Sequence, residues 1–166
     1  MRIAVMGYVG SGKTVLTRFL AERLGIPKVE LDTVAFDLDW KPTYREALCR
    51  ELAVFMEEES WIIDGNYNDL LQEKRLELAD KIIFVMLPRL ACLVRALKRT
   101  RERKDAGYRN DINPWFIRFL LFGCRNRKRR DQYREIARQY AGKLTALKSQ
   151  RDIDRFMGQI QKGKWP

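Results

Sequence analysis

Histidine is absent from this chain of 166 residues. That absence alone removes Ser-His-Asp chemistry, His-ligated zinc and histidine general bases. Cysteine is scarce, and Cys49, Cys92 and Cys124 are far apart with no CxxC pair. An odd number of separated thiols favours free, buried cysteines in a reducing compartment over a disulfide framework. No apolar run reaches the ~18 residues of a membrane-spanning helix. The stretch from Met1 to Gly7 is too short for the apolar core of a signal peptide. The sequence therefore predicts a soluble, cytoplasmic protein. Acidic residues are outnumbered, 22 against 33 Lys and Arg, which gives a net charge of +11. That balance predicts polyanionic partners, whether phosphates, nucleotides or nucleic acid, and excludes basic ligands.

What is present suits a globular fold. Apolar residues make up 46% of the chain and aromatics 11%, which excludes a disordered tail or a fibrous repeat. The length suits one domain, residues 1–166, with a core of its own. Short apolar runs at Ile3–Met6, Trp61–Ile63 and Ile82–Leu87 read as strands, with Lys28–Leu31 and Leu144–Leu147 as further strand candidates. Between them lie helical patterns. Val15, Leu16, Phe19, Leu20 and Leu24 form one stripe, stopped by Gly25 and Pro27. Thr43 with Glu46 and Ser149 with Asp152 read as capping boxes. Leu90, Leu93, Val94 and Leu97 mark the apolar face of another helix, whose other face carries Arg95, Lys98 and Arg99. Residues 99–111 read as a polar loop. Residues 115–122 and 125–140 read as helices broken near Gly123, the first of them an apolar helix of the domain rather than a membrane-surface segment. Alternating strands and amphipathic helices predict a three-layer α/β fold, with a central parallel sheet of about five strands.

One motif carries chemistry. Gly7-Tyr8-Val9-Gly10-Ser11-Gly12-Lys13-Thr14 matches G-x-x-x-x-G-K-[ST], with a buried strand before it and a helix after it. Glycines let backbone N–H groups approach a phosphate closely, and the helix N-terminus favours the anion. Lys13 can reach the β- and γ-phosphates, and the Thr14 hydroxyl can ligate Mg²⁺. The pattern predicts that Gly7, Gly10, Ser11, Gly12, Lys13 and Thr14 bind ATP. No N-K-x-D base-reading motif of a GTPase follows, and the chain is too short for the larger ATPase architectures. The small kinases remain, in which a γ-phosphoryl group passes to a small acceptor beneath an arginine-rich lid.

Three segments together resemble a known family: the Gly7–Thr14 loop, Asp64-Gly65-Asn66-Tyr67 after Trp61-Ile62-Ile63, and Leu87-Pro88-Arg89 with Arg95 and Arg99. The sequence is similar to the adenylate-kinase-like P-loop proteins, and within them to the DNA topology modulation proteins. The resemblance covers nearly the whole chain, most specifically residues 1–32, 61–67 and 82–99. It implies ATP binding, a five-stranded parallel sheet and kinase activity. It also implies that Arg95 stacks on adenine, that Arg99 contacts phosphates, and that the segment Ser149-Gln150-Arg151 lies at the adenine-contacting loop, although a plain helix cap explains that segment equally well. Asp64-Gly65 matches the start of the family's Asp-Gly-Phe-Pro-Arg motif, but Asn66-Tyr67-Asn68 replaces the rest. The missing arginine counts against recognition of a nucleoside monophosphate.

Asp32 and Asp64 both close strands at the expected carboxyl edge of the sheet, where such folds bind ligands. Either could hold a Mg²⁺-bound water or accept the acceptor's proton, so both are candidates for metal and for catalysis, alongside Thr14 and Lys13. Asp37 and Asp39 follow in an acidic loop. Arg95, Arg99, Arg101, Arg103 and Arg109 bracket a lid region over roughly 99–130; Arg125, Arg127, Arg129, Arg130 and Arg134 belong to it or follow it. Guanidinium forks suit a phosphoryl group in transit. Arg99 is the first catalytic candidate among them, with Arg127 and Arg130 chosen by position, and Gln150 is a nucleotide-binding candidate. Most of the basic run is expected to be a solvated face. The function expected is Mg-ATP binding with phosphoryl transfer to a small acceptor, recognised by the 33–60 segment. One rival is an ATP-switched nucleic-acid-binding regulator, with affinity falling steeply with salt. A nucleotide-binding protein without efficient transfer is another.

Overall fold

The computed structural model describes residues 1–37, 42–105 and 113–165. Strands β1 (Arg2–Gly7), β2 (Lys28–Glu30), β3 (Trp61–Asp64), β4 (Lys81–Val85) and β5 (Leu144–Leu147) form one all-parallel sheet, in the order β2-β3-β1-β4-β5. Successive side chains on a strand point to opposite faces. Ile3 and Val5 therefore join Ile62, Ile83 and Val85 in one core cluster, while Ala4 and Met6 join Trp61, Ile63, Ile82 and Phe84 in the other. Ile3–Met6, Trp61–Ile63 and Ile82–Val85 are apolar throughout because neither face meets water.

Helices cover both faces. The first cluster takes Leu16 and Leu20 from α1 (Lys13–Leu24), Cys92 and Ala96 from α5 (Arg89–Asp105), Leu120 from α6 (Pro114–Leu121), and Ile153 and Phe156 from α8 (Gln150–Gln161). The second takes Leu31 from α2 (Leu31–Asp37), Leu48 and Leu52 from α3 (Pro42–Phe55), Leu76 from α4 (Gln72–Leu78), and Tyr133 and Ile136 from α7 (Arg127–Gln139). Truncating any of the larger buried side chains to alanine should cost about 2–5 kcal/mol.

Several local expectations change. Leu31 opens α2 instead of closing a strand. Residues 99–105 continue α5 and are not a loop, in keeping with a run rich in the good helix formers Arg, Lys and Glu. Of the apolar face expected for α5, only Leu93 packs on the core; Cys92 and Ala96 face the sheet beside it, whereas Leu90, Val94 and Leu97 are 71%, 63% and 46% exposed. The small pair lets the helix lie close to the phosphate loop, with Cys92 O near Gly10. In α1, Leu16 and Leu20 are buried but Val15 faces solvent. Thr43 lies inside α3, which opens at Pro42, so it is not the cap of that helix. In α6 only Leu120 is fully buried, and Trp115 is exposed, as is Phe122 just beyond the helix. The second capping box is present, with Asp152 N donating to Ser149 Oγ and Ser149 N to Asp152 Oδ2. Cys49, Cys92 and Cys124 are all free thiols.

The sheet order positions the site. From β1 the chain passes to β2 on one side, and later from β3 to β4 on the other, so the order reverses at β1. Ligands of such folds bind at the carboxyl end of the strand where this reversal occurs.

Candidate active site

At the carboxyl end of β1 the chain turns through Gly7, Gly10 and Gly12, whose φ angles are +149°, +74° and +92°. A Cβ at Gly7 would lie 2.1 Å from Val85 O, and one at Gly10 would lie 2.8 Å from Cys92 O, so backbone on both sides excludes a side chain. Ser11 N donates to Tyr8 O at 3.1 Å and tightens the turn. The amides of Gly10, Gly12, Lys13 and Thr14 have no hydrogen-bond partner among the described residues. They stand at the start of α1, where the helix dipole adds partial positive charge. Lys13 is buried and folds back to donate from Nζ to Tyr8 O at 3.3 Å. Its ammonium has three donors in all, so it can still serve an anion.

Beneath the loop, Thr14 Oγ1 donates to Asp64 Oδ2 at 2.9 Å. Asp64 closes β3 and is 2% exposed. Burial pushes its carboxyl up to about 6, against the opposing pull of Lys13 and the Thr14 hydroxyl; Asp32 and Glu30 add like charge. Its second oxygen, Oδ1, is buried without a partner among the described residues. A buried carboxylate oxygen left unpaired costs free energy, and a cation relieves that cost. A hydroxyl and a carboxylate are hard oxygen donors, and Mg²⁺ typically takes one or two such ligands and completes its shell with phosphate and water. Thr14 and Asp64 thus fit a nucleotide-borne magnesium. Among the described residues no group of three or more His, Cys, Asp or Glu could form a cage for a metal.

Asp32 lies in the first turn of α2, exposed, and accepts a 2.7 Å hydrogen bond from Tyr67 Oη. Burial and the Asp32 carboxylate raise the Tyr67 phenol well above its ordinary range, so it stays a donor. Glu30 is paired with Asp64 across the β2–β3 register. Arg18 grips it with both ends of its fork, at 2.8 and 2.7 Å, and Lys28 adds a bond of 2.6 Å. The Arg18 bond leads in holding the Glu30 carboxyl down at about 2, so it is a fixed anion. Sequence reasoning missed Glu30, since an acid closing a three-residue strand carries no motif.

Arg95 reaches across the loop, donating from Nη1 to Ser11 O at 2.5 Å and from Nη2 to Gln150 Oε1. The structure thus brings Arg95, Gln150 and the phosphate loop together. Arg99 lies one turn further along α5, on an exposed side. Arg127 and Arg130 lie in the first turns of α7. The Arg127 side chain is 92% exposed, 3.7 Å from Asp131, and Arg130 is exposed too. Two neighbours turn inward instead. Arg125 donates to Leu87 O at 2.5 Å and to Cys92 Sγ at 3.2 Å, and its Cζ lies 3.9 Å from the centre of the Tyr8 ring. Arg129 is half-buried, one turn before Tyr133, and its charge opposes the burial that raises the Tyr133 phenol. Asp39 and Arg109, with the side chains of Asp37 and Arg103, lie outside the described residues.

Neither a protein-family model nor a curated protein matches the sequence. Solved structures do match. The deoxyadenosine kinase of M. mycoides with bound dATP aligns over 98% of this chain and 98% of its own, at 14% identity and a TM-score of 0.62. The fold is that of the P-loop kinases. The shikimate kinase of Acinetobacter baumannii in complex with shikimate covers 97% of this chain and 90% of its own, at 20% identity and a TM-score of 0.54. A gluconokinase from Sinorhizobium meliloti 1021 covers 98% and 90%, at 18% identity and a TM-score of 0.54. At such identities the likeness establishes the architecture, and function rests on the site.

Proposed function

We propose that the protein is a kinase that binds Mg-ATP and transfers the γ-phosphoryl group to a hydroxyl of a small acceptor. The observation that carries this reading is the Thr14–Asp64 pair: a metal-ligand hydroxyl and a buried, half-satisfied carboxylate, 2.9 Å apart beneath unpaired loop amides. In this reading the amides and Lys13 hold the β- and γ-phosphates. Thr14 and Asp64 hold the magnesium ion, which supplies charge neutralisation at the phosphates. Asp32, held by Tyr67, takes the proton of the attacking hydroxyl. The acceptor oxygen bonds to the γ-phosphorus, the bridging P–O bond breaks, and ADP leaves with the bond's electrons. Arg95 and Gln150 sit on the adenine side, and Arg99 reaches the phosphates from α5. Arg127 and Arg130 are exposed, as Arg99 is, and carry no assigned role in this scheme.

Basic residues converging on the loop support the kinase over the nucleic-acid reading. Lys13, Arg95 and Arg125 all touch the loop, whereas Arg127, Arg134 and Arg138 pair with acids on their own helix. Nothing in the comparisons supports a nucleic-acid partner or a topology-modulating role. The test is ATP turnover against a panel of nucleosides, nucleoside monophosphates and small polyols, with Lys13→Ala as the control. Acceptor-dependent ADP release that Lys13→Ala abolishes is the expected result. Phosphate release indifferent to every acceptor, or ATP affinity that survives Lys13→Ala, overturns the assignment.

A further inference from the structure

Where the sequence departs from Asp-Gly-Phe-Pro-Arg, the structure holds an unusual piece of backbone pairing. Strand β3 runs beside β1 with Val5 opposite Asp64, and Gly65 N donates to Val5 O at 3.1 Å. The next rung of a parallel ladder would take Gly7 N to Gly65 O. That rung is missing, and Gly65 O accepts from Arg75 Nη1 at 3.2 Å. The Asn66 side chain fills the gap. Its Oδ1 accepts from Gly7 N at 3.0 Å, and its Nδ2 donates to Gly7 O at 2.6 Å. A primary amide offers one acceptor and two donors, so it can copy a peptide group; Phe, the residue at this point of the family motif, has neither.

Arg75 makes the substitution possible. Its side chain is 2% exposed and pairs with no carboxylate among the described residues; it donates to three backbone carbonyls, Gly65, Tyr67 and Leu70, at 3.2, 2.8 and 3.0 Å. Three donors to carbonyls turn the chain away from β1 straight after Asp64 and leave the Asn66 side chain facing Gly7. The same turn carries Tyr67 to Asp32. Gly7 O also receives the Tyr133 hydroxyl of α7, at a longer 3.4 Å. The first peptide of the phosphate loop is therefore gripped from the Asp64 loop and touched from α7.

We propose that Asn66 is a positioning residue for the phosphate loop, and that Arg75 in turn positions Asn66. Asn66 acts through Gly7: it fixes the plane of the peptide from which the loop departs, and so the direction in which the amides that follow can point. A loop whose amides are aimed before the anion arrives loses less freedom on binding. The inference rests on the nucleotide-binding reading above, and two measurements keep the two separate. Amide hydrogen exchange over residues 7–14 is followed in the ligand-free protein, and ATP affinity is measured by calorimetry with Mg²⁺ present.

Asn66→Ala should speed exchange at the bonded loop amides of Gly7, Tyr8 and Ser11 while leaving α8 unchanged, and should weaken ATP binding about tenfold. Tyr133→Phe removes the longer bond and should weaken it less than about threefold. A purely structural role would lower the thermal midpoint of Asn66→Ala and leave the affinity of the folded protein intact. Arg75→Lys should follow Asn66→Ala in direction; if it does not fold, Asn66→Ala decides alone. Unchanged loop exchange, or faster exchange with unchanged ATP affinity, overturns the proposal. A wild-type protein that binds no ATP overturns the kinase reading instead, and the exchange measurement still decides whether Asn66 positions the loop.

Discussion

Arg125 lies over Tyr8, its guanidinium carbon 3.9 Å from the centre of the ring. Tyr8 is the second residue of the phosphate loop, and Arg125 comes from the short turn before α7. Its other contacts, Leu87 O and Cys92 Sγ, tie that turn to the end of β4 and the start of α5. Burial pushes the Cys92 thiol up despite the nearby guanidinium, so the sulfur accepts as a neutral atom.

The first prediction follows from this placement. Arg125→Ala should weaken ATP binding severalfold and lower stability by about 1–2 kcal/mol, through the lost carbonyl bond and the lost cation–π contact. Arg127→Ala should change neither beyond about twofold in affinity or ~0.5 kcal/mol, because an exposed pair with Asp131 contributes little. Calorimetric ATP titration and urea unfolding of both variants check this. Equal effects would remove the argument from placement.

The second concerns pH. The Asp64 carboxyl sits at about 6 in the folded protein and near 4 when unfolded. Between those values the folded state binds the extra proton, so rising pH destabilises it through this group. The penalty is absent below about pH 4 and complete above about pH 6. Asp64→Asn keeps the shape and cannot ionise, so without nucleotide it should be more stable than wild type at pH 7, by on the order of 2 kcal/mol. The gap should close as pH falls to 4. Glu30 titrates in the opposite sense, its stabilisation being lost only as pH falls toward about 2, so the difference between the two proteins isolates Asp64. At pH 7 the same variant should lose the Mg²⁺ dependence of its ATP affinity. Unfolding curves from pH 4 to 7 test the first claim, and titrations with and without Mg²⁺ test the second.

The central strands were legible because buried parallel strands carry uninterrupted apolar runs, and Trp61–Ile63 lacked only Asp64; Leu144–Leu147 was read to the residue. Helix α4 left no apolar stripe to read, since two of its three buried residues are Gln72 and Arg75. On α5 Leu90, Val94 and Leu97 lie toward solvent and Leu93 alone of the expected stripe packs on the core, so periodicity misplaced most of the face. The phosphate loop was legible because its chemistry is local, with glycine spacing, lysine and threonine adjacent in sequence. The Thr14–Asp64 bond joins residues 50 apart, and Asn66–Gly7 residues 59 apart. Sheet order creates both contacts, and no local pattern encodes it. Arg125 was hidden for another reason: within a run of arginines, spacing cannot say which one faces inward.

The third prediction tests the backbone requirement at the loop. Gly10 has φ +74°, and a Cβ there would meet Cys92 O at 2.8 Å. Gly10→Ala should therefore cost about 1–3 kcal/mol and abolish measurable ATP binding. Gly142→Ala is the control, with no heavy atom within 4 Å of its added Cβ. It should leave affinity unchanged. Thermal melts with ATP titration of both variants decide the point, and a Gly10→Ala protein that binds ATP normally would show that the loop opens differently.

The fourth separates the two ends of the proposed nucleotide. Arg95 spans from Ser11 O to Gln150, so its guanidinium lies at the outer edge of the loop, between the loop and the start of α8. Lys13 sits inside the loop on Tyr8 O. If Arg95 stacks on the base, Arg95→Ala should weaken ATP three- to tenfold, the usual range for a partly exposed cation–π contact, and leave inorganic tripolyphosphate within about twofold. Lys13→Ala should abolish binding of both, since its charge serves phosphate alone. Competition between ATP and tripolyphosphate on the three proteins reads the split directly. A parallel loss of both ligands in Arg95→Ala would move Arg95 from the base to the phosphates, and would make the Ser11 carbonyl bond its main contribution.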